Sequence, residues 1–166
     1  MDRLIARSLR RAAEAEAAPP IDRVVLDYES RFLRRRSLRT EAGRDLLVDL
    51  AETVSLEHGD ALETEAGPIA VAAAPEPLIE IHAAPHDLTR LAWHIGNRHT
   101  PAQIEPGRLL IRDDAVLADM LVRLGAHTRR VTEPFRPEGG AYGPGRTHGH
   151  HHGGATDDPH AHAHDH

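Results

Sequence analysis

The hydrophobic pattern of the chain changes its period once, and Pro75-Glu76-Pro77 marks the place. Before this point, short apolar runs are separated by Gly or Pro about every 8–10 residues, which is typical of a small β domain. Proline fixes φ and lacks an N–H donor, so two prolines in three residues form a stiff boundary. We therefore predict a β domain over residues 22–75, with strands at 45–50, 53–57, 61–65 and 69–73.

Helical periodicity begins after the boundary. Leu78–His82 alternates as a strand, and the next residues predict a helix with Asp87 as its N-cap and Gly96-Asn97 as its end. Asp113 or Asp114 is expected to cap a second helix that stops at Gly125. Strands are predicted at 102–105, 108–112 and 126–132. The order β-α-β-β-α-β over residues 76–147 suggests a ferredoxin-like sheet with both helices on one face, in an α+β chain.

Composition removes several classes of function. The chain has no cysteine, and all 20 basic residues are arginine, so thiolate and lysine Schiff-base chemistry are excluded. A net charge of -6 argues against nucleic-acid binding, and no apolar run reaches the roughly 20 residues of a membrane helix. We expect a cytoplasmic protein. Residues 1–21 are interpreted as an N-terminal extension, short and amphipathic or frayed.

The last nineteen residues contain eight of the fourteen histidines. These are His148, His150, His151, His152, His160, His162, His164 and His166. Neutral imidazole is a ligand for nickel, copper, zinc and iron, and so polar a segment has no apolar surface to bury. Residues 148–166 are therefore predicted to be a disordered metal-collecting tail. The alternative is a purification tag, although tags are normally unbroken histidine runs.

A second histidine pattern lies inside the folded part, in Trp93-His-Ile-Gly-Asn-Arg-His-Thr-Pro101. His94 is predicted on the first helix and His99 in the turn that follows it. One imidazole cannot hold a metal ion tightly, but a two-fold axis would supply a matched pair of His99 side chains. A nickel ion often takes four to six ligands, so further donors would come from the tail.

The segment His94-Ile-Gly-Asn-Arg-His-Thr-Pro-Ala-Gln-Ile104 resembles the central motif of the UreE family of urease accessory proteins, which are nickel metallochaperones. Similar stretches include Arg34–Thr40 with Gly43, Leu56–Asp60, Val71–Ala74 followed by Glu76, Asp114–Leu121 and Phe135–Tyr142, and the likeness covers roughly residues 22–166. The resemblance implies a peptide-binding-type β domain, a ferredoxin-like domain that forms a homodimer, and His99 as the interface nickel ligand. It also implies delivery of Ni(II) to apo-urease with accessory proteins that include the GTPase UreG.

Some members of that family carry a His-x-His pair where this chain has Asp113-Asp114-Ala115, so the auxiliary site is absent or carboxylate-based. Whether His94 or these aspartates contribute ligands stays open, and zinc or copper could also bind in vitro. Asp119 and the two aspartates are otherwise expected to be solvated or capping. His58, His82, His86 and His127 are expected on the surface or in strands.

Two other functions compete with nickel delivery. A nickel or zinc store would explain the tail, but it needs neither an ordered His94–Ile104 block nor a separate β domain. A metal-dependent enzyme is disfavoured because the chain has no His-Glu-x-x-His, nucleophile elbow or P-loop. The Arg34–Arg36 run with Arg39 is interpreted as a solvated face, with a surface for an acidic partner protein as the alternative.

Overall fold

The computed structural model describes residues 3–14 and 18–139. The eight histidines of the tail, and the prediction that the tail is disordered, lie outside these residues. Within them the chain has a two-part layout, with an N-terminal β domain and a C-terminal domain of strands and helices. No helix in the described ranges is both long and apolar enough to span a bilayer.

Six strands make the N-terminal sheet: β1 (Leu4–Arg10), β2 (Asp22–Leu26), β3 (Phe32–Arg39), β4 (Asp45–Ser55), β5 (Ala61–Thr64) and β6 (Gly67–Ala73). Their order across the sheet is β2-β6-β5-β1-β4-β3, with β1 parallel to β4 and β2 parallel to β6. Alternate residues of the strands face one core, which includes Ala6, Val48, Leu62 and Ile69, each fully buried. The domain is thus all strand and turn, as the spacing of Gly and Pro predicted, and its strands alternate between core and surface residues.

The interpretation of residues 1–21 as a frayed extension was wrong for residues 4–10. These residues form β1, which lies inside the sheet between β5 and β4. Leu4, Ala6 and Leu9 face the core, and a register shift between Ala6 and Ser8 interrupts their alternation. The predicted break between strands at 45–50 and 53–57 is also absent, because β4 runs unbroken over eleven residues.

The C-terminal domain has the predicted order β-α-β-β-α-β. Its elements are β7 (Pro75–His82), α1 (Pro85–Asn97), β8 (Gln103–Glu105), β9 (Arg108–Arg112), α2 (Ala115–Arg123) and β10 (His127–Pro134). The antiparallel sheet has the order β10-β7-β9-β8. One cluster contains Ile79 and Ile111 of the sheet with Leu91 of α1 and Leu121 of α2, so both helices cover the same face. The face of the sheet that the helices do not cover therefore contacts the N-terminal domain.

The predicted helix starts are correct for one helix and wrong for the other. Asp114 is the N-cap of α2 and accepts a hydrogen bond from the Leu117 N–H at 3.0 Å. In α1 the N-cap is Ala84, without a side-chain hydrogen bond, and Asp87 lies inside the first turn. Pro85 explains the difference, since it starts a helix with φ already fixed and with no N–H to satisfy.

The two domains meet around an arginine that is 2% exposed. Arg31 donates to the carbonyl oxygens of Leu26 at 3.0 Å, Leu56 at 3.2 Å and Phe135 at 2.6 Å. Tyr28 contacts the fully buried Phe135 ring edge-on, with 5.4 Å between centroids. The first two carbonyls belong to the N-terminal domain and the third follows β10, so one guanidinium joins the domains.

Charged residues occupy part of the sheet face opposite the helices. Glu80, which is 3% exposed, accepts hydrogen bonds from Arg108 at 2.6 Å and Arg129 at 2.7 Å, and its other contact is His82 at 2.7 Å. Arg108 also reaches Glu133 at 2.7 Å. The hydrogen bonds from Arg108 and His82 outweigh the effect of burial and lower the pKa of Glu80 to about 2.

This network predicts acid sensitivity. The pKa of Glu80 is about 2 in the folded chain against an ordinary 4.5, so its contribution is complete above about pH 5 and is lost as pH falls toward 2. The shift corresponds to about 3 kcal/mol. Urea unfolding at pH 6 and pH 2.5 should therefore show a smaller loss of unfolding free energy for Glu80→Gln than for the wild type. The exposed Glu52→Gln should behave as the wild type does, and a parallel loss in all three chains would refute the assignment.

Candidate metal centre

His99 lies in the turn that ends α1, and its backbone φ is +55°. The N–H of His99 donates to Gly96 O at 3.0 Å, and the N–H of Thr100 donates to Ile95 O at 3.4 Å. With Arg98 as the C-cap, these bonds are the two of a Schellman motif, in which the residue after the cap adopts the left-handed conformation. His99 therefore occupies the position that favours glycine.

The second helix ends in the same way, which gives an internal comparison. Gly125 has φ +94°, its N–H donates to Val122 O at 3.0 Å, and Ala126 N–H donates to Leu121 O at 3.0 Å. An L residue in this conformation costs roughly 1–2 kcal/mol relative to glycine. Among the described residues His99 is the one non-glycine with positive φ. The imidazole is thus kept at a backbone position that disfavours it.

The prediction that Gly96-Asn97 ends the helix is confirmed, because Asn97 is the last residue of α1. Gly96 itself has no positive φ. The left-handed residue lies two positions after Asn97, at His99. The imidazole of His99 is exposed, and within the described ranges no hydrogen bond or ion pair engages it. Both ring nitrogens are therefore available to a ligand.

His94 is less available than His99. It lies on α1, half-buried, and its ring meets the exposed Trp93 ring edge-on at 5.1 Å between centroids. The His94 carbonyl oxygen accepts a hydrogen bond from the side chain of Arg98 at 3.1 Å, across the last turn of the helix. His94 thus lies on the helix beside an aromatic side chain, whereas His99 lies in the exposed turn.

Three other histidines and three aspartates lie where the sequence predicted, at the surface, in a strand or at a helix cap. His82 ends β7, His86 is in the first turn of α1, and His127 begins β10; all three are exposed. Asp113 lies 3.6 Å from Arg130 and Asp119 lies 3.1 Å from Arg123, while Asp114 caps α2. No group of three or more His, Asp or Glu side chains that could hold a metal ion occurs in residues 3–14 and 18–139.

His58 is engaged in a way that disfavours metal binding. Its Nδ1 accepts a hydrogen bond from the Ala73 N–H at 3.1 Å. Desolvation and the charges of Arg136 and Arg31 lower the pKa of His58, which favours its neutral form. In a neutral ring with Nδ1 as the acceptor, Nε2 carries the proton and has no free lone pair. His58 thus serves as a hydrogen-bonding residue of the turn.

After β10 the chain crosses beneath the sheet and reaches β8, in a segment that we call the strap (residues 135–139). Arg136 N–H donates to Gln103 Oε1 at 2.8 Å, and Glu138 N–H donates to Ala102 O at 2.8 Å. The strap forms one wall of a cavity of about 320 Å³ between the domains, which Ile104 and His58 also line. The sequence did not predict this route, because residues 134–147 show only a composition rich in Pro and Gly.

Some large apolar side chains on or next to the helices of the C-terminal domain are exposed. Trp93 of α1 is 64% exposed and Val116 of α2 is 83% exposed, and Leu124 beyond α2 is 44% exposed. Leu124 and His94 line the same shallow depression between the helices. An exposed apolar residue by itself is common at a protein surface, whereas a contiguous apolar patch marks a surface that contacts another molecule.

Family models match two consecutive parts of the chain. Residues 5–74 match the N-terminal domain of the UreE urease accessory protein, and residues 76–166 match its C-terminal domain. The chain belongs to the UreE family of urease accessory proteins. The matched N-terminal range includes almost all of β1, in agreement with the position of that strand in the sheet.

Curated relatives named urease accessory protein UreE agree over most of the chain. That of Ruegeria pomeroyi is 57% identical over 153 residues, covering 92% of this chain and all of the relative. Those of Rhodobacter capsulatus and Paracoccus denitrificans are 57% and 58% identical, each over 133 residues, and cover 80% and 79% of this chain and 83% and 84% of the relatives. The chain is accordingly an accessory chaperone of urease assembly and not an enzyme.

Proposed function

We propose that this chain binds Ni(II) at His99 and delivers it to apo-urease while the urease metallocentre is assembled. The proposal rests on the exposed imidazole of His99, which follows α1 in the left-handed conformation. The equivalent position after α2 is a glycine, Gly125. An exposed residue in a backbone conformation that it disfavours is better explained by a function than by a role in folding. The family and the names of the relatives supply the context of urease assembly.

The site is proposed to form between two copies of the chain. A single imidazole is too weak a ligand set, and the described residues supply no cluster that could complete it. A two-fold axis near the exposed Trp93 and His99 would pair the two imidazoles and cover apolar surface at the same time. The homodimer thus explains both the lone exposed ligand and the exposed apolar residues.

The tail is proposed to supply the remaining ligands, from His148 and the seven histidines that follow it. The Glu138 N–H donates to Ala102 O, and His148 is ten residues farther along the chain. Chain geometry limits ten residues to a span of roughly 33–36 Å at most. Ala102 follows His99 by three residues, which span roughly 11 Å at most. Tail imidazoles would therefore reach the ion, and each could leave separately during transfer.

The handover itself is proposed to take place in the cytoplasm with the urease apoprotein and the other accessory proteins, including the GTPase UreG. Zinc and copper would also bind in vitro, because imidazole ligands do not discriminate strongly among late first-row metals. The Asp113–Asp114 region contributes no ligand in this proposal, since one carboxylate caps α2 and the other lies near Arg130.

Removal of the tail should distinguish the nickel site at His99 from the sites in the tail. Calorimetric titration with nickel should show several ions per dimer for the full chain and one tight site for a chain that ends at Thr147. A chain of full length with serine at all eight histidine positions of the tail is the matched control, and it should resemble the truncated chain. Unchanged stoichiometry after truncation would contradict a role for the tail.

Storage of nickel or zinc is the second candidate function, and the number of tail histidines favours it. A store releases metal to solvent and has no need for a fixed ligand in an ordered turn. The two functions differ in whether the chain raises urease activity when nickel is scarce.

A further inference from the structure

Six exposed arginines lie along the two strands that flank β4 in the N-terminal sheet. Four belong to β3, the last strand in the order of the sheet, and two lie in or directly before β1. We call this set the arginine surface, and its members are Arg3, Arg7, Arg34, Arg35, Arg36 and Arg39. The sequence pattern showed the run in β3, whereas the position of β1 beside β4 adds the other two.

The pairing register places a small apolar centre among these arginines. Leu47 of β4 pairs with Ile5 of β1 on one side and with Ser37 of β3 on the other. Paired residues share a face of the sheet, and the residues on either side of Leu47 are buried in the core. The row of three therefore lies on the outer face, where Ile5 is 38% exposed.

Arginines border this row on both strands. Arg35 and Arg39 lie two residues before and after Ser37, so the alternation of the strand places them on the same face. The Arg3 side chain donates a hydrogen bond to Ser37 Oγ, and Arg7 is exposed at the register shift of β1. The outer face thus combines guanidinium groups with a partly exposed aliphatic centre.

The arginine surface differs from four other arginines of its domain in having almost no carboxylate partners. Within the described residues, Arg35 is the one member with an ion pair, at 3.9 Å from Asp49. The four others each lie 3.3 Å or less from a carboxylate; they are Arg10, Arg11, Arg23 and Arg44. The positive charge of the surface is therefore largely unneutralised, in a chain whose net charge is -6. Close like charges repel one another, and a bound acidic group relieves that repulsion.

We propose that the arginine surface binds an acidic, extended segment of a partner protein, with carboxylates on the arginines and an apolar side chain over Ile5 and Leu47. Guanidinium groups bind carboxylates through two parallel hydrogen bonds. The side chains of Arg35, Ser37 and Arg39 repeat every second residue, and an extended segment presents its own side chains with the same period. The inference goes beyond nickel delivery and involves no ligand of the metal ion.

Two aspartates of β4 favour a protein over a nucleic acid as the partner. Asp45 pairs with Arg39 and Asp49 pairs with Arg35, so negative and positive side chains alternate across the outer face. A protein segment can place carboxylates opposite the arginines and neutral side chains opposite the aspartates, whereas every nucleotide carries a phosphate. The net charge of -6 also repels a nucleic acid.

The test measures binding of a fluorescent peptide that repeats Glu-Ser-Val-Ser to the full chain, by fluorescence anisotropy at low salt. Arg35→Gln with Arg39→Gln should bind the peptide about tenfold more weakly than the wild type, because two exposed ion pairs are lost. Arg123→Gln with Arg130→Gln is the matched control, since it removes two arginines of the C-terminal domain that are 78% and 75% exposed. The control should bind as the wild type does. Equal weakening in both double variants would show that only total charge matters and would overturn the proposal.

A second comparison tests the apolar centre. A peptide with serine in place of valine should bind the wild type about threefold more weakly, and Ile5→Thr should bind the two peptides equally. Threonine keeps the β-branched shape, so β1 should persist. Equal binding of the two peptides by the wild type would overturn the proposed docking mode. The proposal would also be overturned if neither peptide bound, or if an oligonucleotide of the same charge bound as tightly as the valine peptide.

Discussion

His99→Gly should remove the tight nickel site and at the same time make the protein more stable. Loss of a direct ligand should weaken nickel binding by about 100-fold or more, since loss of residues that merely support ligands already costs 10–100-fold. Glycine adopts the left-handed conformation without the steric penalty that His99 bears, so we expect a gain of about 1 kcal/mol in unfolding free energy.

His99→Ala is the matched comparison because it removes the imidazole and keeps the Cβ. It should lose nickel as His99→Gly does, without the gain in stability. Chelator competition and urea unfolding of the three metal-free chains provide both measurements. Tight nickel binding in both variants would show that the ion is held elsewhere, and equal stability of the two variants would show that the left-handed backbone is not strained.

Arg31→Met should have the largest effect on stability, a loss of about 3–4 kcal/mol. Arg31 is 2% exposed and donates hydrogen bonds to carbonyl oxygens of both domains, those of the buried Leu56 and Phe135 and of the partly buried Leu26. Methionine fills similar space without a donor, and each acceptor left unsatisfied costs about 1–3 kcal/mol before relaxation. The loss is a large part of the 5–15 kcal/mol that usually holds a protein folded.

The control for this substitution is Arg35→Met in β3, the strand that begins directly after Arg31. The Arg35 side chain is 70% exposed and lies 3.9 Å from Asp49, so its loss should change unfolding free energy by less than about 0.5 kcal/mol. Denaturant unfolding of both variants, followed by far-UV circular dichroism, is the measurement. If Arg31→Met is as stable as Arg35→Met, the guanidinium does not hold the domains together.

Local patterns predicted the C-terminal domain well because its elements are built from residues close in sequence. Leu88, Leu91 and Ile95 recur at helical spacing, and Asp114 and Gly125 are a standard start and stop. The order of elements followed from these signals. The helix ends at Asn97, inside the predicted stop, whereas the left-handed residue that follows is a histidine and not a glycine.

The same local patterns could not predict contacts between residues that are far apart in the sequence. The alternation in β1 is short, uses the small Ala6 as its central apolar residue, and is broken by a register shift. Its partners begin at Leu46 and Ala61, far along the chain. Arg31 and Phe135 are 104 residues apart, so no local signal connects them. The position of His99 could be predicted from the sequence, whereas its backbone conformation required the coordinates.

The most direct test of nickel delivery from His99 is activation of apo-urease at limiting nickel, in a reconstituted mixture with the other accessory proteins. The wild-type chain should raise urease activity above that of the mixture without it. His99→Gly, which should be folded and at least as stable, should give no increase. Equal activation by His99→Gly and the wild type would contradict the account.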